Sequence, residues 1–164
     1  MGADMYLQID GIKGDSTDSA HKDWIEVESF SHRIHQPLAA QASGRGGHSG
    51  GKAEHGDFSI TKRIDTATPL LAQYVCTGKA IPKMKLELCR ALGDKTTFMS
   101  YSLENVMVTT VEPQGSRDPE DPLPFERVDF RYGIIRWEYT PTSPDGKKGA
   151  AIKAAWDAQA NKTV

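Results

Sequence analysis

The sequence predicts a mainly β chain, folded as a sandwich or small barrel with one short helix. Three observations carry that prediction. Most apolar residues recur with the period of two that half-buried strands require. A single internal segment combines helical spacing with a start and a stop signal. Two long stretches, one rich in glycine and one in proline, divide the pattern.

The elements follow in order. Met5, Leu7 and Ile9 alternate with Tyr6 and Gln8 as a first strand. Residues 25–36 read as a second strand that mixes apolar and polar residues on both faces. Residues 39–53 are glycine-rich, with almost nothing to bury, and read as a loop. Phe58, Ile60 and Ile64 share one parity of a third strand, with Lys62 the exception. Thr68 is expected to cap the helix, with Pro69 at its first position and Gly78 at its end. Leu70, Leu71, Tyr74 and Val75 fall on one side, so the helix should lie on a sheet.

Beyond the helix, Met84, Leu86 and Leu88 face inward between Lys83, Lys85 and Glu87. A long strand over 96–111 presents Met99, Tyr101, Leu103, Met107 and Val111. Residues 113–124 hold four prolines and acids and are expected to end any ladder. Val128, Phe130 and Tyr132 are even, whereas Ile135, Trp137 and Tyr139 are odd. Such a flip at Gly133 fits either a bulge at a barrel corner or a strand buried on both faces, one against another subunit. The tail 145–164 has helix-friendly composition, with Ile152 and Trp156 four apart, and reads as a short C-terminal helix or an arm.

Composition excludes several classes. The 164 residues fit one domain spanning 1–164, long enough to bury its own core. With 38% hydrophobic residues and a net charge of −2, the chain is expected to be folded, soluble and without the basic surplus of a nucleic-acid binder. No apolar run approaches the ~18–20 residues that would insert in a membrane. The acidic start MGADMYLQID lacks the basic-then-apolar order of a signal peptide, so the chain is expected in the cytoplasm.

No motif demands catalysis or a cofactor. Gly46 to Ala53 is a near-miss for a phosphate-binding loop, but Ala53 stands where a magnesium-holding hydroxyl belongs and a strand follows. All five histidines lie between His21 and His55, yet His32 and His35 point to opposite faces of a strand and no ligand spacing completes a metal site. Cys76 is expected to pack, and Cys89 to be a surface thiol on the polar parity of its strand. Glu120 and Asp121 read as a solvated patch.

Several segments resemble one family. Asp4–Val27, the run from Phe58 to Leu70, the run from Cys76 to Pro82, and Phe130–Pro141 followed by Asp145 and Gly146 are similar, in order and spacing, to the haemolysin co-regulated proteins (Hcp), tube proteins of bacterial type VI secretion. The resemblance implies a two-sheet β-barrel with a flanking short helix, assembled as a homo-hexameric ring. Rings of that family stack into a tube that carries effectors, is tipped by a VgrG-type spike and is propelled from a baseplate by a contractile sheath. It further implies a cytoplasmic protein that is later secreted through this machine without a signal peptide.

The family's second strand contributes to the channel wall, which makes Ser29, Ser31 and Arg33 the channel and cargo candidates. The loop residues Gly44, Arg45, Gly46, Gly47, His48 and Lys52 are candidates for ring stacking, facing an acidic loop of Asp118, Glu120 and Asp121. Loops 39–53 and 113–124 depart most from the family. Two other readings are a stand-alone β-barrel binding a small ligand in its interior, and a metal-dependent enzyme using the histidine-rich first third. The first predicts a monomer or dimer with a ligand cavity, and the second predicts stoichiometric metal and activity lost to a chelator.

Overall fold

A computed structural model describes residues 2–38, 50–90, 95–120 and 123–164. In chain order its strands and single helix are β1 (Ala3–Ile9), β2 (Ile25–Val27), β3 (Ser29–Ser31), β4 (Ile34–His35), β5 (Glu54–His55), β6 (Phe58–Arg63) and α1 (Thr68–Thr77). There follow β7 (Ile81–Arg90), β8 (Thr97–Gln114), β9 (Phe125–Arg131), β10 (Ile134–Tyr139), β11 (Ile152–Asp157) and β12 (Lys162–Thr163). Hydrogen bonds order one layer as β12-β11-β10-β8-β7-β1-β2, and a second as β3-β6-β9-β8. Strand β8 belongs to both. The class is mainly β, as the alternation predicts, and the hydrogen-bonded circuit stays open among the described residues.

Cross-strand register turns the alternation into a core. Leu7 faces Leu86 and Ile9 faces Met84, while Leu86 faces Tyr101 across the next ladder. From the second layer Phe58, Ile60, Val128 and Phe130 fill the space between, all 0–1% exposed. These side chains occupy the interior that a ligand-binding barrel would need to keep open.

The irregular strands turn out to be corners. Residues 25–36 are not one strand: Ile25–Val27 pairs with β1, whereas Ser29–Ser31 pairs with β6. The chain changes layer at Glu28, whose N–H donates to the Thr61 carbonyl. That is why both of its faces carry apolar residues. The flip at Gly133 is a second corner, between β9 and β10, with the Gly133 N–H donating to the carbonyls of Glu104 and Asn105. Opposite it, Asn105 takes a positive φ of 53° and reverses the parity of β8. Val106 and Val108 are therefore buried, and Met107, expected inside, is 44% exposed.

Other expectations are corrected similarly. Lys62 keeps the inward parity and is fully buried, while Ile64 lies partly outside. Thr68 sits inside the helix and does not cap it; Ala67 is the cap residue and makes no side-chain bond. The Asp65 carboxylate accepts the Ala67 N–H instead. Gly78 ends the helix as expected, in the left-handed conformation at φ 67°. Leu71 and Tyr74 are buried and α1 packs on β8, but Leu70 is exposed. Pro113 and Gln114 continue the ladder opposite Glu126 and Phe125, so the break comes after them.

The tail is not helical. Ile152–Asp157 pairs antiparallel with all of β10, with Ile152 opposite Tyr139 and Trp156 opposite Ile135. A tight turn with Gly146 at φ 84° returns the chain, and an open sheet edge satisfies its backbone better than a short solvated helix would.

Candidate functional site

Three surfaces hold the sequence-predicted residues. On β3 and just beyond it, Ser29, Ser31 and Arg33 are exposed on one parity. Phe30 packs against the core, and His32 lies against the Phe58 ring. The three side chains form a polar, exposed row.

The glycine-rich segment is carried on a hairpin. Strands β4 and β5 pair Ile34 with His55 and His35 with Glu54, and Leu38 bridges Gly50. Gly44, Arg45, Gly46, Gly47 and His48 lie outside the described residues; Lys52, in the returning limb, is exposed. A buried anchor fixes the stem. The Tyr132 hydroxyl meets His32 Nε2 at 2.8 Å and His55 Nδ1 at 2.6 Å, joining both limbs to the barrel. Burial, with a smaller contribution from His55, lowers the His32 pKa. Burial also lowers that of His55 and raises that of Tyr132, so all three groups favour neutrality. In the other loop Asp118 and Glu120 are exposed, and Asp121 lies outside the described residues.

A third arrangement escaped the sequence analysis. The segment after β1 folds over the outer face of β1 and β7, because Gly14 has no side chain. A Cβ there would stand 2.5 Å from the Trp24 carbonyl oxygen. This closure buries His21, which stacks on Tyr6 at 4.3 Å and meets Trp24 edge-on. His21 Nδ1 lies 2.8 Å from Asp18 Oδ2, and Nε2 lies 2.8 Å from Glu87 Oε2 and 3.8 Å from Cys89 Sγ. The two cysteines reverse their expected places: Cys89 is buried and Cys76 exposed. A register shift between Leu88 and Cys89, together with the covering segment, encloses a position that alternation alone leaves outside.

Cys89, His21 and Asp18 have the order of a nucleophile, base and orienting carboxylate, but the chemistry is disarmed. Glu87 occupies the ring nitrogen that would take the thiol proton. Burial pushes the Cys89 thiol pKa up, only partly offset by the Thr97 hydrogen bond. Hydrogen bonds from Lys95 and then His21 hold Asp18 down at about 2. In Glu87, burial is outweighed by its bonds to Lys85 and His21, and its pKa falls. The four described histidines do not share one centre: His21 lies in this cluster, His32 and His55 meet at Tyr132, and His35 is exposed on β4.

The outer edge of the first layer has a different character. Its core-facing row continues through Trp137, half-buried against the core, to Tyr139 opposite Ile152. Tyr139 is 42% and Ile152 66% exposed. The opposite face of these strands carries Ser102, Arg136, Glu138 and Lys153, which line an open groove together with Ala155 and Val164.

A filled two-layer β core with apolar side chains exposed at its outer edge is a fold that offers a contact surface and no interior pocket among the described residues. The family described as "Type VI secretion system effector, Hcp" matches residues 6–139, and the chain belongs to it. Protein hcp1 of Pseudomonas aeruginosa is 33% identical over 163 residues, covering 98% of each chain. A solved type six secretion system protein superposes with a TM-score of 0.93 at 34% identity, covering 99% of each chain. Hcp1 from Salmonella typhimurium gives 0.82 at 33% identity over the whole of both.

Proposed function

We propose that the chain is the tube subunit of a type VI secretion machine, assembling as a homo-hexameric ring whose rings stack, enclose effectors and are expelled. The observation that carries this reading, beside family membership, is the cross-strand pair Tyr139 and Ile152, apolar and exposed at the edge of an otherwise folded chain. A closed ring needs two different complementary patches on each copy, and this margin supplies one of them. Ser29, Ser31 and Arg33 form the channel-facing row in this proposal, polar throughout and, at the two serines, small enough to let varied cargo approach. The VgrG-type spike, contractile sheath and baseplate are its partners. It performs no catalytic step, in keeping with a shielded thiol and a filled interior.

Stacking is assigned to the arm carried by β4 and β5. Arg45, His48 and Lys52 would meet Asp118, Glu120 and Asp121 of the next ring. Each exposed ion pair contributes only ~0–1 kcal/mol, so stacking should be weak, repeated around the ring and sensitive to salt. Deleting residues 43–51, or Arg45→Glu, should leave rings intact while abolishing tubes and secretion. Normal tubes and secretion from the deletion variant would place the stacking surface elsewhere.

A further inference from the structure

We propose that the cluster under the Gly14 turn is a binding site for one borderline divalent metal ion of the zinc class, held by His21, Glu87 and Cys89. The three ligand atoms, Nε2, a carboxylate oxygen and Sγ, all lie within 4.8 Å of one another. Tetrahedral zinc, with Zn–N and Zn–O near 2.0–2.2 Å and Zn–S near 2.3 Å, requires ligand atoms about 3.3–3.6 Å apart. The observed Nε2–Oε2 distance of 2.8 Å and Nε2–Sγ distance of 3.8 Å bracket that spacing.

The surroundings supply what such a site needs. A metal-bound histidine almost always gives its other N–H to a carboxylate, a backbone carbonyl or water, and His21 Nδ1 faces the Asp18 carboxylate at 2.8 Å, leaving Nε2 for the ion. The stack on Tyr6 and the edge of Trp24 fix the ring plane. The Thr97 hydroxyl, 3.0 Å from Glu87 Oε2 and 3.4 Å from Cys89 Sγ, steadies both remaining ligands. Side-chain exposures of 11% at Asp18 and 14% at Glu87 mark the mouth through which an ion enters.

Each ring nitrogen of His21 faces a carboxylate oxygen, Asp18 Oδ2 on one side and Glu87 Oε2 on the other. Spacing along the chain could not show this site, because its ligands come from a loop and a strand that only the fold brings together.

Cobalt(II), added to the assembled full-length protein after chelator treatment, is the probe. One ion per chain should bind, giving a near-ultraviolet sulfur-to-cobalt band together with the visible bands of a tetrahedral ion. Cys89→Ser, nearly isosteric, should abolish the near-ultraviolet band, His21→Gln should weaken binding at least tenfold, and Cys76→Ser should change neither. Absence of the band in the unaltered protein, or its persistence in Cys89→Ser, would overturn the proposal. Should a variant fold poorly, Glu87→Gln serves as well, since the amide keeps a hydrogen-bonding shape but loses the anionic ligand; unchanged cobalt affinity there would equally refute it.

Discussion

Replacing Lys62 by methionine should be among the most destabilising single changes in the described chain. The side chain is fully buried, yet its ammonium lies 2.5 Å from Glu126 Oε1, 2.6 Å from Asp65 Oδ1 and 3.0 Å from the Arg63 carbonyl oxygen. Thr68, in the first turn of α1, also donates to Glu126 Oε1 at 2.8 Å. One cation thus ties β6, β9 and the helix start together inside the core. Lys62→Met keeps the aliphatic volume but leaves Glu126, itself fully buried, and Asp65 facing each other without a counter-charge. Stranding a buried charge costs about 3–5 kcal/mol. For a chain of this size that is a fall in melting temperature of roughly 6–20 °C. Denaturant unfolding at fixed protein concentration reads it, and the double variant Lys62→Met with Glu126→Gln separates its causes. The second change removes one stranded charge, so the double variant should be more stable than Lys62→Met alone. A loss below about 1 kcal/mol for the single variant, or simple addition of two losses in the double, would refute the reasoning.

Two further outcomes follow from the same structure. His32 and His55 have folded pKa values below the ordinary ~6.5, so the unfolded chain binds more protons in the interval beneath it. Their contribution is whole above about pH 6.5 and fades as pH falls toward the folded values; His32→Gln should flatten that loss in acid unfolding curves, and an unchanged slope would contradict the assignment. Gly14→Ala places a methyl against the Trp24 carbonyl and Ile25 backbone, which should cost about 1–3 kcal/mol and expose Cys89 to thiol reagents faster than in the unaltered protein. Equal labelling rates would show that the covering segment does not depend on that close approach.

Where sequence reading succeeded, side chains decided the structure locally. The alternation of Leu7, Leu86, Phe58 and Phe130 survives because each faces an apolar partner in register. The helix end at Gly78 was legible because few other residues suit its left-handed backbone, and the corner at Gly133 because the apolar parity reverses across it. Readings failed where geometry came from elsewhere in the chain. Met107 reads as core only if β8 keeps its phase, and the positive φ of Asn105 breaks it. Cys89 reads as exposed only if nothing covers the outer face, and the segment around His21 does. The tail's helical composition yields to the free edge of β10. Of the candidate residues, Ser29, Ser31 and Arg33 do share an exposed face, whereas the Tyr132 anchor beneath the arm required partners far apart in sequence.

Native mass spectrometry of the purified chain tests the central claim most directly. At tens of micromolar, ample for an ordinary stable interface, the account predicts a dominant species of six times the 18.0 kDa chain. The exposed Tyr139–Ile152 margin would then be covered by a neighbour, and replacing Ile152 with lysine should dissociate the ring into folded monomers. A monomer as the sole species of the unaltered chain at that concentration would contradict the account.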